Sequence, residues 1–225
     1  MNNEIYNRQQ SLELSVPKSV AIVGCGGVGS WVAWFLALAG VEELWLYDHD
    51  TVSTSNLNRT PYTLEDVGRP KSEALKDHIR RYRPDCHVYA SAGKFVPEVA
   101  STTNWNWMVV ATDTAKSRQE IYKWAMGALV SYIEVAAEGE MGSCTNEPAD
   151  FSTPEESHVG YQSVPVWIGP AVAAATMAVS YVLHNASMKG AVLRAGFNTD
   201  NGEYELYNSD YQIDMAPEPD AAEVS

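Results

Sequence analysis

Four apolar residues in a row, 20–23, run into a turn that carries Gly24, Gly26, Gly27 and Gly29, and a longer apolar segment, 31–39, follows. A short run bounded by glycine predicts a buried strand, and the longer segment predicts a helix. A second strand, 44–47, ends in Asp48. After a polar stretch, Ala74, Leu75, Ile79 and Tyr82 recur at helical spacing, with Pro70 in the first turn and Pro84 as the stop. Strands are predicted at 87–90, at 107–111, which runs on into Thr112 and Asp113, and at 129–135; a helix is predicted at 115–126. The last of these strands is apolar except for Ser131 and Glu134, which predicts cover on both faces. Strands alternating with helices at this spacing predict an α/β fold: a Rossmann-like, doubly wound, mostly parallel sheet.

The second half breaks that rhythm. Residues 138–161 are polar, with Gly139, Gly142, Pro148 and Pro154, and are expected to form a crossover loop. The longest apolar stretch, 164–183, contains Pro165, Pro170 and many alanines, which points to a buried helix from Ile168 rather than a membrane span. Asp200, Asn201 and Gly202 between the apolar runs of 193–207 signal an antiparallel hairpin extending the sheet at its C-terminal end. Residues 1–19 read as a polar N-terminal arm and 212–225 as a disordered acidic tail, leaving one domain over 1–211.

Charge and cysteine content narrow the function. The 225 residues carry 29 acidic against 15 basic side chains, a net charge of -14, which opposes binding to nucleic acid or to an anionic membrane. Cys25, Cys86 and Cys144 lie far apart with no C-x-x-C pair, so neither a disulfide framework nor a zinc knuckle is expected. The start of the chain has no basic, then apolar, export signal, and a cytoplasmic location is expected. The five histidines show no ligand spacing.

The glycine turn carries the first chemistry. A phosphate reaches the backbone N–H groups at a helix N-terminus only where no Cβ stands in the way, and an acid at the end of the next strand is placed to accept from ribose hydroxyls. Gly24, Gly26, Gly27, Gly29 and Asp48 meet both demands, which predicts an adenine nucleotide and leaves NAD, FAD, S-adenosylmethionine and ATP open.

Four blocks, GCGGVG, DHDTVSTSNLNR, DVGRPK and ATDTAKSR, occur in that order. Together they resemble the ThiF/MoeB/HesA family of the ubiquitin-activating (E1-like) superfamily. The resemblance implies a fold that binds ATP with magnesium and adenylates a carboxylate, commonly the C-terminus of a ubiquitin-like protein or of a peptide, with release of pyrophosphate. It implies that Gly27 lines the phosphate loop, that Asp48 binds ribose, that Asn56, Arg59 and Lys71 contact phosphates, and that Asp113 holds magnesium. It also implies that Arg8, in Y-N-R-Q, reaches the nucleotide of a partner protomer in a homodimer. The apolar surface of Trp31, Trp34 and helix 168–183 suits such an interface.

The bare chemistry agrees. Attack of a carboxylate on the α-phosphorus needs cations around the pyrophosphate leaving group, and Arg8, Arg59 and Lys71 are three, with Asp113 a hard oxygen ligand for a metal. The structural alternative makes Arg59 and Lys71 surface charges and Asp113 a helix cap. Asp50 is read as a loop organiser. Two departures from the family stand out: the two C-x-x-C pairs are absent, and the stretch HVGYQSVPVWIGP lacks the cysteine that would accept an acyl group. Cys144 is read as a buried thiol at a strand end, so activation is expected without an acyl-accepting cysteine. The competing functional readings are a catalytically silent scaffold or regulatory subunit of the same family and an NAD(P)-dependent oxidoreductase.

Overall fold

The computed structural model of the chain describes residues 3–97, 104–146, 165–185, 192–198 and 203–208. Strand β1 (Ser19–Val23) leads through the glycine turn into α1 (Gly29–Ala39) and β2 (Glu43–Tyr47). A long loop precedes α2 (Lys71–Tyr82), β3 (His87–Ser91) and β4 (Trp107–Val110), and then come α3 (Ala115–Ala128), β5 (Ser131–Glu138) and β6 (Met141–Thr145). Helix α4 (Ile168–His184), β7 (Val192–Asn198) and β8 (Glu203–Asn208) complete the described elements. The sheet runs β3-β2-β1-β4-β5-β6-β7-β8. Its first five strands are parallel and the rest antiparallel.

Period-2 alternation explains why β1 and β4 are buried throughout. Val20, Ile22, Trp107 and Val109 join the core beneath α1, α2 and α4, with Leu36, Leu75 and Ile79. Ala21, Val23, Met108 and Val110 face the other way, onto Ile121 and Ala125 of α3 and onto Trp105. Each fully buried aliphatic side chain contributes about 1.5–3 kcal/mol. Chain order reverses between β1 and β4, and the crevice beyond their C-terminal ends is where an open α/β sheet presents a ligand.

One expected loop contains a strand. Within 138–161, residues Met141–Thr145 form β6, which turns back on β5 at Gly139 (φ 56°) with Glu138 opposite Met141. Its small residues show no alternation because α4 lies directly on it: a Cβ at Gly142 would stand 2.4 Å from the Pro170 carbonyl oxygen and 2.8 Å from the Ala174 nitrogen. The rest of that segment, from 147, together with the hairpin tip at 199–202 and the tail at 212–225, lies outside the described residues. The strand expected from 129 begins two residues later, because Leu129 closes α3 in the left-handed conformation (φ 57°) with its side chain in solvent.

Helix α4 buries Pro170, Ala171, Ala174, Ala175, Ala178, Val179, Val182 and Leu183, the stripe of a helix packed on one side. No helix among the described residues is long and apolar enough to cross a membrane.

The arm docks on its own subunit. The Tyr6 ring fills the space a Cβ on Gly40 would need, 3.3 Å away, and the Arg83 guanidinium sits 5.0 Å from the ring centroid. Arg83 also donates to the Ala37 carbonyl and pairs with Asp85, while Gln9 Nε2 donates to the Ala39 carbonyl at 2.8 Å. These contacts gather at the C-terminal end of α1, the end remote from the glycine turn.

Candidate functional site

The glycine turn is shaped by close approach. Gly24 has φ 96°, and a Cβ there would stand 2.5 Å from the Ala111 carbonyl oxygen, so the turn leaves β1 pressed against the end of β4. A Cβ on Gly26, by contrast, meets nothing within 4 Å. Packing does not require glycine at Gly26; only something approaching the turn from outside would. The N–H groups of Gly26 and Gly27 have no acceptor among the described residues. Gly26→Ala is therefore expected to leave the melting temperature within about 1 °C of wild type, since a few tenths of a kcal/mol is the scale of a harmless surface change. Gly24→Ala, strained at positive φ and in collision, is expected to lower it by several degrees. Thermal unfolding of the two variants checks this, and an equal loss in both would contradict the geometry.

Asp48 stitches the turn to the next loop. One carboxylate oxygen accepts from the Cys25 N–H at 2.6 Å and the other from the Asp50 N–H at 2.8 Å. Asp50 in turn accepts from Lys71 Nζ at 2.8 Å, and this hydrogen bond, more than the opposing effect of burial, holds its carboxyl below the usual range. Asp48, His49 and Asp50 could ligate one ion by distance alone, within 4.8 Å of one another. Their oxygens already serve backbone N–H groups and Lys71. The Lys71 side chain is only 11% exposed, so it is no solvated surface charge.

Tyr62 closes the base of the site, its single hydroxyl proton shared between the carbonyls of Cys25 (2.7 Å) and Lys71 (3.1 Å). The Arg59 side chain lies across Gly27, 3.4 Å from where a Cβ would be, and its guanidinium bonds the Ser55 carbonyl and Asn58. Trp31 Nε1 donates to the Arg59 carbonyl at 2.9 Å. Asn56 belongs to the same loop, but its side-chain oxygen is used locally, accepting from the Ser53 N–H at 3.0 Å.

Asp66 holds the stretch that delivers Lys71. It accepts from the Thr63 N–H and hydroxyl, both at 2.9 Å, and from Arg69 at 3.0 Å, and it pairs with His78 Nε2 at 2.6 Å. Burial alone would raise its carboxyl; the bonds from His78 and Thr63 outweigh that and bring it to about 2. A depressed carboxyl stabilises the fold fully above its unfolded value of roughly 3.9. That contribution is lost as pH falls towards about 2. Asp66→Asn is expected to lose roughly 1–3 kcal/mol at pH 7 and to flatten stability between about pH 4 and 2. Urea unfolding across that range measures both, and an unchanged acid limb would contradict the assignment.

Asp113 stands exposed in the turn after β4, whose Ala111 and Thr112 touch Gly24. It does not cap α3: Thr114 does, accepting from the Ser117 N–H. The structure thus brings Gly24, Gly26, Gly27, Gly29, Asp48, Arg59, Lys71 and Asp113 to one end of the sheet. It does not bring Arg8, which is exposed on the docked arm. Tyr62, Asp66, Arg118 and Glu134 escaped the sequence reading. A lone acid in an otherwise apolar strand was the signal for Glu134. Arg118 donates to the Thr112 carbonyl at 2.7 Å and to Glu134 at 2.8 Å, directly behind the Asp113 turn.

None of the three thiols is poised for chemistry. All are buried, and burial pushes Cys25 well above the ordinary thiol range, Cys86 to about 11 and Cys144 to about 12.

This arrangement suits a nucleoside triphosphate with a divalent cation: free N–H groups and an open glycine for phosphate, two cations beside them, and an unengaged carboxylate for the metal. The chain is 31% identical over 114 residues to the tRNA threonylcarbamoyladenosine dehydratase of Escherichia coli (strain K12), across 49% of this chain and 42% of that protein. It is 38% identical over 105 residues to the sulfur carrier protein ThiS adenylyltransferase of the same organism, across 45% and 42%. The chain spans less than half the length of these curated relatives. The crystal structure of E. coli MccB with AMPCPP and MccA superposes with a TM-score of 0.67 at 20% identity, over 85% of this chain and 63% of that one, which shows the shared fold. Because the ThiF family model matches residues 5–159, from the arm through the glycine turn and the Asp113 turn to beyond β6, the chain belongs to the ThiF family.

Proposed function

We propose that the protein is an ATP-dependent adenylyltransferase that activates a carboxylate as an acyl adenylate and releases pyrophosphate. The observation that carries this is a pair of cations at the glycine turn: Arg59 lies across Gly27, and the Lys71 ammonium bonds Asp50, whose N–H is held by the same Asp48 carboxylate that binds the Cys25 N–H. A nicotinamide-dependent oxidoreductase transfers a hydride and has no pyrophosphate leaving group for them to stabilise.

In this reading the N–H groups of Gly26 and Gly27 hold phosphate oxygens, and Asp48 keeps lone pairs for the ribose hydroxyls. Arg59 and Lys71 stabilise negative charge as it moves onto the leaving pyrophosphate. Asn56 adds its side-chain amide N–H groups to the same phosphates. Asp113 would hold magnesium, which when bound screens the phosphate oxygens from the incoming carboxylate. With every thiol buried and protonated, the adenylate passes to an acceptor other than a cysteine of this chain. The name of one relative, a sulfur carrier protein adenylyltransferase, supports a small carrier protein as the substrate, and in this reading its C-terminal carboxylate is the reacting group. The active unit is a homodimer in which Arg8 serves the partner's site.

ATP–pyrophosphate exchange against a panel of ubiquitin-like proteins and peptides tests the proposal. Exchange that depends on one carboxylate and on magnesium is expected. Absence of exchange together with thermal stabilisation by NAD, and none by ATP with magnesium, would overturn it.

A further inference from the structure

Behind the Asp113 turn lies a buried ion pair for which the proposed chemistry has no direct use. Arg118, in the second turn of α3, has a side chain 15% exposed, and Glu134, on β5, one 5% exposed. Their charges meet at 2.8 Å, and the other Glu134 oxygen accepts from the Tyr132 hydroxyl at 3.1 Å. A pair this deep is a poor source of stability, because desolvation offsets most of its attraction. What it does secure is geometry.

The turn from β4 into α3 is held at each residue but one. The Ala111 N–H donates to the Val23 carbonyl at 2.8 Å. The Thr112 carbonyl accepts from Arg118 Nε at 2.7 Å, and the Thr114 hydroxyl and carbonyl accept from Ser117 and from the Arg118 N–H. Asp113 alone is left unengaged among the described residues. Arg118 is therefore the side chain that spans the turn, and Glu134 fixes its fork from the neighbouring strand.

We propose that Arg118 and Glu134 are positioning residues, whose buried pair holds the β4–α3 turn so that the Asp113 carboxylate stands at the nucleotide end of the sheet. This rests on the reading of Asp113 as the metal-holding residue. Lysine at Arg118 keeps the charge and cannot bond Thr112 and Glu134 together in the same fork geometry. Glutamine at Glu134 keeps the shape and removes the charge.

The test uses the full chain with two readouts. The first is ATP affinity with magnesium and with chelator, in wild type, Arg118→Lys, Glu134→Gln, Asp113→Asn and the double variants with Asp113→Asn. Each single change at the pair is expected to reduce the magnesium-dependent gain in affinity roughly tenfold, the scale of a lost supporting contact behind a metal ligand. Metal-free affinity should stay unchanged, and no further loss should appear in the Asp113→Asn background. The second readout is hydrogen exchange without nucleotide, expected to be faster in both variants at amides 111–116 and unchanged in β1. Unaltered exchange at the turn, or an equal loss of affinity with and without Asp113, overturns the pairing. An Asp113→Asn protein that keeps its full magnesium gain, while exchange at the turn still rises in the pair variants, leaves the positioning of the turn standing and sinks the reading of Asp113 instead. If Arg118→Lys fails to fold, Glu134→Gln carries the same comparison.

Discussion

Replacing Asp113 by alanine is expected to lower ATP–pyrophosphate exchange roughly a thousandfold, the scale on which a metal's charge supports a phosphoryl transition state. The fold should survive unchanged. Asp113 is exposed, it does not cap α3, and the turn around it is held by Ala111, Thr112 and Thr114. The substitution therefore removes one carboxylate without opening a cavity or orphaning a donor. Melting temperature and far-ultraviolet dichroism should match wild type while exchange collapses. A variant that retains near-normal exchange would leave Asp113 with no role in the chemistry.

That separation of fold from activity could not be read from the sequence, where a helix cap and a metal ligand look alike at this position. What was legible was everything set by local chemistry. The glycine turn, the period of β1, α1 and β2, and the acid at the end of β2 announce themselves because each depends on neighbours a few residues away. Arg59, Lys71 and Asp113 were legible through ordered motifs rather than through periodicity. Their supporting residues were not. Tyr62 bonds a carbonyl 37 residues away, and Arg118 pairs with Glu134 across 16 residues, so only the folded chain shows what they do. Strand β6 escaped for a tertiary reason as well. Its small side chains are demanded by the backbone of α4 lying against Gly142, and no alternation survives that demand. The two tryptophans of α1, expected to suit an interface, also have partners within the subunit that the sequence does not show. Trp31 is bonded to the Arg59 carbonyl, and Trp34 packs on Tyr82 with ring centroids 5.0 Å apart, so both are used inside the subunit.

The arm bears on assembly. Tyr6 and Gln9 flank Arg8 in sequence, and both are fastened at Gly40 and Ala39, where α1 ends. The glycine turn is where α1 begins. Eleven helical residues separate the two, about 16 Å, which an arginine side chain does not span. With the arm docked, Arg8 has no route to the turn of its own subunit, so any nucleotide it contacts would have to be a partner's. Arg8→Ala and Asp113→Ala are each expected to be inactive alone, and mixing them is expected to restore about a quarter of wild-type exchange. Under random pairing half of the dimers are mixed, and in each mixed dimer one of the two sites has both its own Asp113 and the partner's intact Arg8. If Arg8 instead served its own subunit, neither site of a mixed dimer would be complete, and the mixture would stay inactive. Subunit exchange is verified separately with differently tagged proteins. Full activity from a monomer, or no recovery from a mixture shown to have exchanged, would exclude the trans arrangement.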